Sequence, residues 1–315
     1  MSSDAPLVVW LITDGKPGHR NQLEGLRLAL TRATAVRSCW LDAPAPSAAL
    51  AAWMRGRFVA GDNLPAPDLI VVAGHRTHLA GLAARRAHGG RLVVLMRPSL
   101  PGWLFDACVV PLHDRPPRSG RVLRTLGVLN PMRPGKKRSG TAVVLIGGTS
   151  RHFTWQDDEI LTALDTLQQH WPEALVTDSR RTPPSLRREL AQRCGDRYHP
   201  WEHCVPGWLA DTLAHSETAW VTADSVSMIY EALSAGCATG LIELRPADAG
   251  GRHKIARGLA ALLADGRIVG LRKLLDDGQR PTAPTEPLAE ADAIATRLLD
   301  APRLSSRRTP DAQHP

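Results

Sequence analysis

Leu7-Val-Val-Trp-Leu-Ile-Thr-Asp-Gly-Lys-Pro-Gly-His-Arg-Asn-Gln22 sets a uniformly apolar run against a polar, glycine-containing loop, and Leu23, Leu26, Leu30 and Ala33 then recur at helical spacing. An apolar run without polar alternation suits a parallel strand buried on both faces. A strand, a turn and a helix in that order, followed by a second β-rich run at 36–41, form the first βαβ unit of a layered α/β domain.

Outward from that unit the pattern repeats, with strands expected at 68–73, 91–96 and 107–110. The stretch Asn130-Pro-Met-Arg-Pro-Gly-Lys-Lys-Arg-Ser-Gly140 interrupts it with residues that resist both helix and central strand. Alternation then resumes: strand 142–146, helix 156–171, strand 174–177, helix 185–193, strand 218–222, helix 226–235 and strand 238–243. The 315 residues exceed the ~100–200 expected of one domain. The expected fold is therefore α/β, with a Rossmann-like domain over 1–139, a second over 140–275, and a Pro-rich tail over 276–315. That tail carries one helix at 287–299 and is expected to be disordered after 301.

Charge is unevenly placed. Residues 1–139 hold 20 Lys and Arg against 8 Asp and Glu (+12), leaving 19 against 23 (−4) for the remainder and +8 for the chain. A basic first half steers polyanions toward it, whether phosphorylated substrate or anionic lipid. Nucleic acid is not an expected partner, because no helix-turn-helix or finger pattern accompanies the arginines. No apolar run approaches the ~20 residues of a membrane span. The start of the chain has neither a secretory nor a transit-peptide pattern, and its five cysteines have no C-x-x-C spacing, so a cytoplasmic protein with reduced thiols is expected. Trp53, Met54 and Phe58, with Arg55 and Arg57 between them, either pack into the core or dip into the inner face of an anionic plasma membrane.

The loop after the first strand is the first place where chemistry could sit. Ligands of open α/β sheets lie at the carboxyl ends of strands, and a helix N-terminus there presents free N–H groups to an anion. Lys16 and Arg20 add charge. His19 can take a proton from a hydroxyl, and so can Asp14; alternatively Asp14 caps the helix and His19 is solvated. The spacing is neither a Walker A motif nor a dinucleotide fingerprint.

A second strand–glycine opening occurs at Gly147-Gly148-Thr149-Ser150-Arg151, whose bare backbone and small hydroxyls suit a diphosphate. Ser179-Arg180-Arg181-Thr182 places two guanidiniums after another strand, where arginine binds phosphate through paired hydrogen bonds. In Asp224-Ser225-Val226-Ser227-Met228-Ile229-Tyr230-Glu231, Asp224 or Ser225 can cap a helix that Gly236 closes. Glu231 lies four residues from Ser227 on one helix face, where it could hold ribose hydroxyls or simply face solvent.

Six blocks taken together, D-G-K-P-G-H-R-N-Q (14–22), G-H-R-T (74–77), M-R-P-S (96–99), G-G-T-S (147–150), S-R-R-T-P (179–183) and T-A-D-S-V-S-M-x-x-E-A (222–232), resemble the mitochondrial fission (elongated-mitochondria) protein family. Bacterial members of that family are regarded as glycosyltransferases. The resemblance implies a GT-B fold, two Rossmann-like domains facing across a cleft, with a nucleotide-sugar as substrate and neither cofactor nor obligatory metal. More loosely, the chain resembles the inverting N-acetylglucosaminyltransferase of peptidoglycan precursor synthesis. These likenesses put Gly15, Lys16, Gly18, Arg20, Gly74, His75 and Arg76 on the acceptor side. His19 becomes the base, with Asp14 in reserve. Gly147, Gly148, Thr149, Ser150, Arg151, Ser179, Arg180, Arg181, Thr182, Asp224, Ser225, Ser227, Met228 and Glu231 fall around the donor. Arg151, Arg180 or Arg181 stands in for a divalent metal.

The expected function is transfer of a sugar from a nucleotide-sugar to an acceptor that is lipid-linked or part of an envelope glycan. The alternative is a non-catalytic adaptor that keeps the fold and binds a protein partner, as plant members of the family are implied to do. A nucleotide-sugar epimerase is not expected, because neither G-x-x-G-x-x-G nor Y-x-x-x-K occurs at the required places.

Overall fold

A computed structural model of the chain describes residues 5–247 and 254–301. They divide into two compact units, one formed by residues up to Pro131 together with those from Glu290 onward, the other by Met132–Ala289.

The first unit alternates β1 (Leu7–Thr13), α1 (Pro17–Ala33), β2 (Val36–Asp42), α2 (Pro46–Arg55), β3 (Leu69–Ala73), α3 (His78–His88), β4 (Arg91–Leu95), β5 (Ala107–Pro111) and β6 (Val122–Thr125). All six strands pair in parallel in the order β2-β1-β3-β4-β5-β6. The uniform apolarity of β1 follows from burial on both sides. Val9 and Leu11 pack with Leu23, Leu26 and Leu30 of α1 on one face. Val8, Trp10 and Ile12 pack with Ala49, Phe58 and Ala83 on the other. From β2 the chain crosses over β1 to β3, so the carboxyl ends of β1 and β3 frame the switch point at which open α/β sheets bind ligands.

Phe58 follows the core alternative. It is 2% exposed, its ring 6.5 Å from that of Trp10, and so belongs to the core rather than to a membrane-facing set. Trp53 and Met54 do remain partly exposed, at 36% and 61%.

The second unit contains β7 (Arg138–Leu145), α4 (Asp157–His170), β8 (Leu175–Thr177), α5 (Pro184–Cys194), β9 (Tyr198–His199), α6 (Trp208–His215), β10 (Ser216–Thr222), α7 (Val226–Ser234), β11 (Ala238–Ile242), α8 (Lys254–Ala264), β12 (Val269–Gly270) and α9 (Leu271–Asp277). Its sheet is again wholly parallel, in the order β12-β11-β10-β7-β8-β9. Here the switch point lies between β7 and β10.

α10 (Glu290–Leu299) returns the chain to the first unit. Ala291, Ile294, Ala295 and Leu298 enter the same cluster as Leu26 and Leu30. The Glu290 carboxylate accepts the Leu126 N–H at 2.6 Å, and Arg91 donates to the Leu298 carbonyl at 3.1 Å. The helix expected in a separate tail is therefore part of a core. The units divide at Pro131/Met132 rather than at 139/140, because β7 already begins at Arg138, inside the Pro/Gly stretch. The disorder expected after 301 concerns residues outside the described ones.

Candidate functional site

At the switch point of the first sheet, the chain leaves β1 through Asp14 and re-enters at α1, whose third residue is His19. His19 Nδ1 lies 2.9 Å from Asp14 Oδ1, and the Lys16 N–H donates to the same oxygen at 3.2 Å. The Asp14 side chain is 1% exposed and that of His19 18%. Burial works against ionisation of Asp14, but hydrogen bonds from the His19 ring and the Lys16 backbone, with the charge of Lys16, hold its carboxyl below the usual carboxylate range. An ionised carboxylate only accepts, so Nδ1 carries the proton and the lone pair of the neutral ring sits on Nε2. The ring is thus oriented by Asp14, which does not cap the helix, and is not solvated as the alternative reading has it. The N-cap of α1 is Lys16, which makes no side-chain capping bond.

Gly74, at the end of β3, completes this geometry. A Cβ there would lie 2.4 Å from the His19 ring and 3.2 Å from Asp14 Oδ2, and its φ of +91° is one that side chains avoid. Gly74→Ala is therefore expected to push the imidazole off Asp14. NMR should show the hydrogen-bonded Nδ1 proton of His19 lost, together with a stability loss of about 1–3 kcal/mol from the backbone alone.

The structure also locates the other residues expected on the acceptor side. The Gly15 N–H donates to Thr13 Oγ1 at 3.1 Å, and the Gly18 carbonyl accepts Gln22 Nε2 at 3.4 Å. The Arg20 guanidinium stacks over the Trp40 ring at 4.6 Å. His75 and Arg76 are exposed.

His78, absent from the sequence reading as a site residue, is 2% exposed and lies 3.1 Å from the Ser99 hydroxyl through Nδ1. Burial, aided by the charge of His75, pushes its ring down to about 4. Above pH 6.5 the ring is neutral folded or unfolded and contributes no pH dependence. Between 6.5 and 4 only the unfolded chain takes up the proton, so stability falls with falling pH by about 3 kcal/mol and levels off below 4. Urea unfolding at stepped pH should show that slope, and His78→Asn should flatten it.

In the second unit the chain wraps around Asp224, whose side chain is fully buried. The Gly147 N–H donates to Thr222 Oγ1 at 2.8 Å and the Gly148 N–H to Asp224 Oδ2 at 3.0 Å. Arg181 Nη2 lies 2.7 Å from Asp224 Oδ2. The same guanidinium donates to the carbonyls of Gly148 and Thr149, at 3.2 and 3.1 Å, and to the Ser225 hydroxyl at 3.3 Å. Ser179 Oγ and Thr182 Oγ1 both donate to the Gly147 carbonyl. Burial pushes the Asp224 carboxyl up, against the hydrogen bonds of Gly148 and Thr222 and the charge of Arg181. The glycine pair thus serves close approach. Its amides, expected to cradle a diphosphate, are engaged within the loop, and the Thr149 N–H donates to the Arg181 carbonyl at 3.2 Å.

What this cluster offers to a ligand is the N-terminus of α7. Ser225 occupies its N-cap without a side-chain capping bond, and no acid stands in the first turn. Ser227 is exposed there and Met228 half-buried, while Thr149, Arg151, Arg180 and Arg181 are exposed and Ser150 half-buried at the same carboxyl-end edge. Glu231 falls on the Ser227 side of the helix as expected, yet is 6% exposed, so it is neither a solvated glutamate nor openly presented to a ribose. Gly236 closes the helix with φ +75°.

Sequence reasoning missed a neighbouring group. Arg180 and Arg187 both lie over the Trp201 indole, at 5.1 and 5.9 Å. Arg187 also pairs with the buried Asp178 at 2.8 Å and donates to the Ser179 carbonyl at 2.9 Å. The signal was an aspartate directly after a strand, at the position that Asp14 occupies in the first unit. Among the described residues no group of three or more His, Cys, Asp or Glu could hold a metal ion, and no helix is long and apolar enough to cross a membrane.

Residues 17–301 match the profile of the family described as Mitochondrial fission ELM1. RP120, an uncharacterised protein of Rickettsia prowazekii (strain Madrid E), is 24% identical over a stretch covering 56% of this chain and 64% of that protein, so the match spans less than two thirds of the relative. Among solved structures, a candidate UDP-N-acetylglucosamine 2-epimerase from Listeria monocytogenes gives a TM-score of 0.60 at 14% identity, covering 94% of this chain and 95% of the other. The S. aureus MnaA–UDP complex gives 0.58 at 13%, covering 95% and 97%. The Neisseria meningitidis UDP-GlcNAc 2-epimerase bound to UDP-GlcNAc gives 0.57 at 13%, covering 94% and 98%. At these identities the likeness is one of fold, and the fold is the expected GT-B class of two Rossmann-like α/β domains.

Proposed function

The chain belongs to the mitochondrial fission ELM1 family, and on that premise we propose that it is a GT-B glycosyltransferase with a nucleotide-sugar donor. The second unit takes the donor, its diphosphate set against the N-terminus of α7 with Arg181, Arg151 and Arg180 offsetting charge in place of a metal ion. The first unit supplies the base. Nε2 of His19 accepts the proton of an acceptor hydroxyl as that oxygen bonds to the anomeric carbon. The bond from that carbon to the phosphate oxygen breaks, and the nucleoside diphosphate leaves. Asp14 then stabilises the imidazolium.

The observation that carries this reading is the buried Asp14–His19 pair at a sheet switch point. The acceptor is lipid-linked or an envelope glycan, met on the cytoplasmic side. A thermal-shift series with UDP, GDP, ADP, TDP and CMP, with and without EDTA, tests the donor half. A ligand at about 100 times its Kd should stabilise the fold by about 2.7 kcal/mol. The shift should persist in EDTA and vanish in Ser227→Glu, which puts a negative charge where the diphosphate sits. No shift with any nucleotide sinks the transferase and favours the protein-binding adaptor.

A second reading comes from the similar structures, three of which act on or bind UDP-linked species by name. If the chain is an epimerase, UDP-GlcNAc incubated alone should yield the C2-inverted sugar by NMR. A transferase leaves that substrate unchanged until an acceptor is added.

A further inference from the structure

We infer that the edge of the first sheet around His19 is an anion site, and that the acceptor therefore carries a phosphate or diphosphate group; the second half of this rests on the glycosyltransferase reading. β1, β3, β4 and β5 are consecutive neighbours in the sheet. Just beyond their carboxyl ends stand Lys16, Arg76, Arg97 and Arg115, all exposed. Among the described residues none of the three arginines has a carboxylate within ion-pair distance, and Lys16 reaches only Asp14, at 4.0 Å. Arg97 spends one N–H on the Asp114 carbonyl at 3.3 Å.

Asp42, exposed at the end of β2, lies on the far side of β1 from the strands that carry the three arginines, and the carboxylates nearer the cations are withdrawn. Asp14 is held by His19, and Asp114 is 9% exposed beside His113. α1 begins here with no acid in its first turn, its Pro17 bringing no N–H and its His19 N–H bonded to the Lys16 carbonyl, and α3 continues a 3-10 turn over His75–Thr77. Four exposed cations therefore share one edge with His19, and charge of one sign gathered at one edge attracts anions. Spread over three strand spacings, about 14 Å, the cations suit a multiply charged diphosphate better than a single carboxylate. Arginine forms the paired hydrogen bonds that phosphate oxygens accept. The exposed Ser99 hydroxyl, tethered by His78, stands at the same edge.

The test is calorimetric titration of the full chain with pyrophosphate in saturating UDP, so that the donor site is filled. Wild type should bind, more weakly at higher salt, and Arg76→Ala/Arg97→Ala should bind at least tenfold more weakly with its UDP affinity unchanged. No pyrophosphate binding, or equal binding by the double variant, overturns the inference. If UDP does not bind at all, the donor reading fails by itself, and the same comparison in a Ser227→Glu background still decides the anion site.

Sedimentation with vesicles of phosphatidylcholine, with and without phosphatidylglycerol, separates the sources. Arginine-dependent capture by the anionic vesicles alone assigns the phosphate to a lipid headgroup. Pyrophosphate binding without capture assigns it to a soluble acceptor.

Discussion

His19→Ala should lower turnover by about two to four orders of magnitude while leaving the UDP affinity of the protein as it was. That range is what a positioned general base contributes. With His19 in the first unit and the proposed donor residues in the second, loss confined to kcat is the expected form. Asp14→Asn should cost nearly as much, because an amide in place of the carboxylate no longer fixes the proton on Nδ1, and Nε2 loses its lone pair to the other tautomer. The double variant should be no worse than His19→Ala, since the two groups act as one. Turnover within threefold of wild type in His19→Ala would move the proton acceptor elsewhere.

The second large effect is on stability. A Cβ at Gly148 would lie 2.1 Å from the Arg181 carbonyl carbon and 2.4 Å from the Thr182 amide nitrogen, both backbone atoms of a turn fixed by Ser179 and Thr182 hydroxyls. Overpacking of this kind costs about 1–3 kcal/mol or more. Moving the loop also takes the Gly148 amide and the Arg181 guanidinium away from Asp224, and a buried carboxylate left without partners costs about 3–5 kcal/mol. Gly148→Ala is thus expected to lose on the order of 4 kcal/mol in urea unfolding, and with it nucleotide binding. Gly18→Ala is the control: nothing lies within 4 Å of its Cβ, and a glycine replaced without strain changes stability by at most about 1 kcal/mol. A Gly148→Ala protein as stable as Gly18→Ala would mean that the loop is not the rigid support described.

What the sequence reveals and what it hides follow from how far apart the partners are in the chain. β1 is legible as an unbroken apolar run and α1 because it is long enough to show its period, as are α4 and α7. β9 and β12 have two residues each and no period to read. Asp14 and His19 announce themselves five residues apart, but Gly74 becomes their neighbour only because β3 pairs with β1. No local pattern specifies that pairing. The Gly147–Gly148 pair is visible as a signal and ambiguous as a cause, since bare backbone for a phosphate and bare backbone for a packed aspartate are spelled alike. α10 shows the same limit at larger scale: its apolar stripe says that one face is buried, not which core receives it.

α10 also fixes an order of events during synthesis. The first unit leaves the ribosome early, yet the face of α1 carrying Leu26 and Leu30 lacks its cover until Ile294 and Leu298 have left the tunnel. By then the whole of the second unit is already outside the tunnel and free to fold. The part of the protein that holds His19 is begun first and finished last, so a nascent chain halted between the two units displays an open apolar face of the kind that holdase chaperones bind.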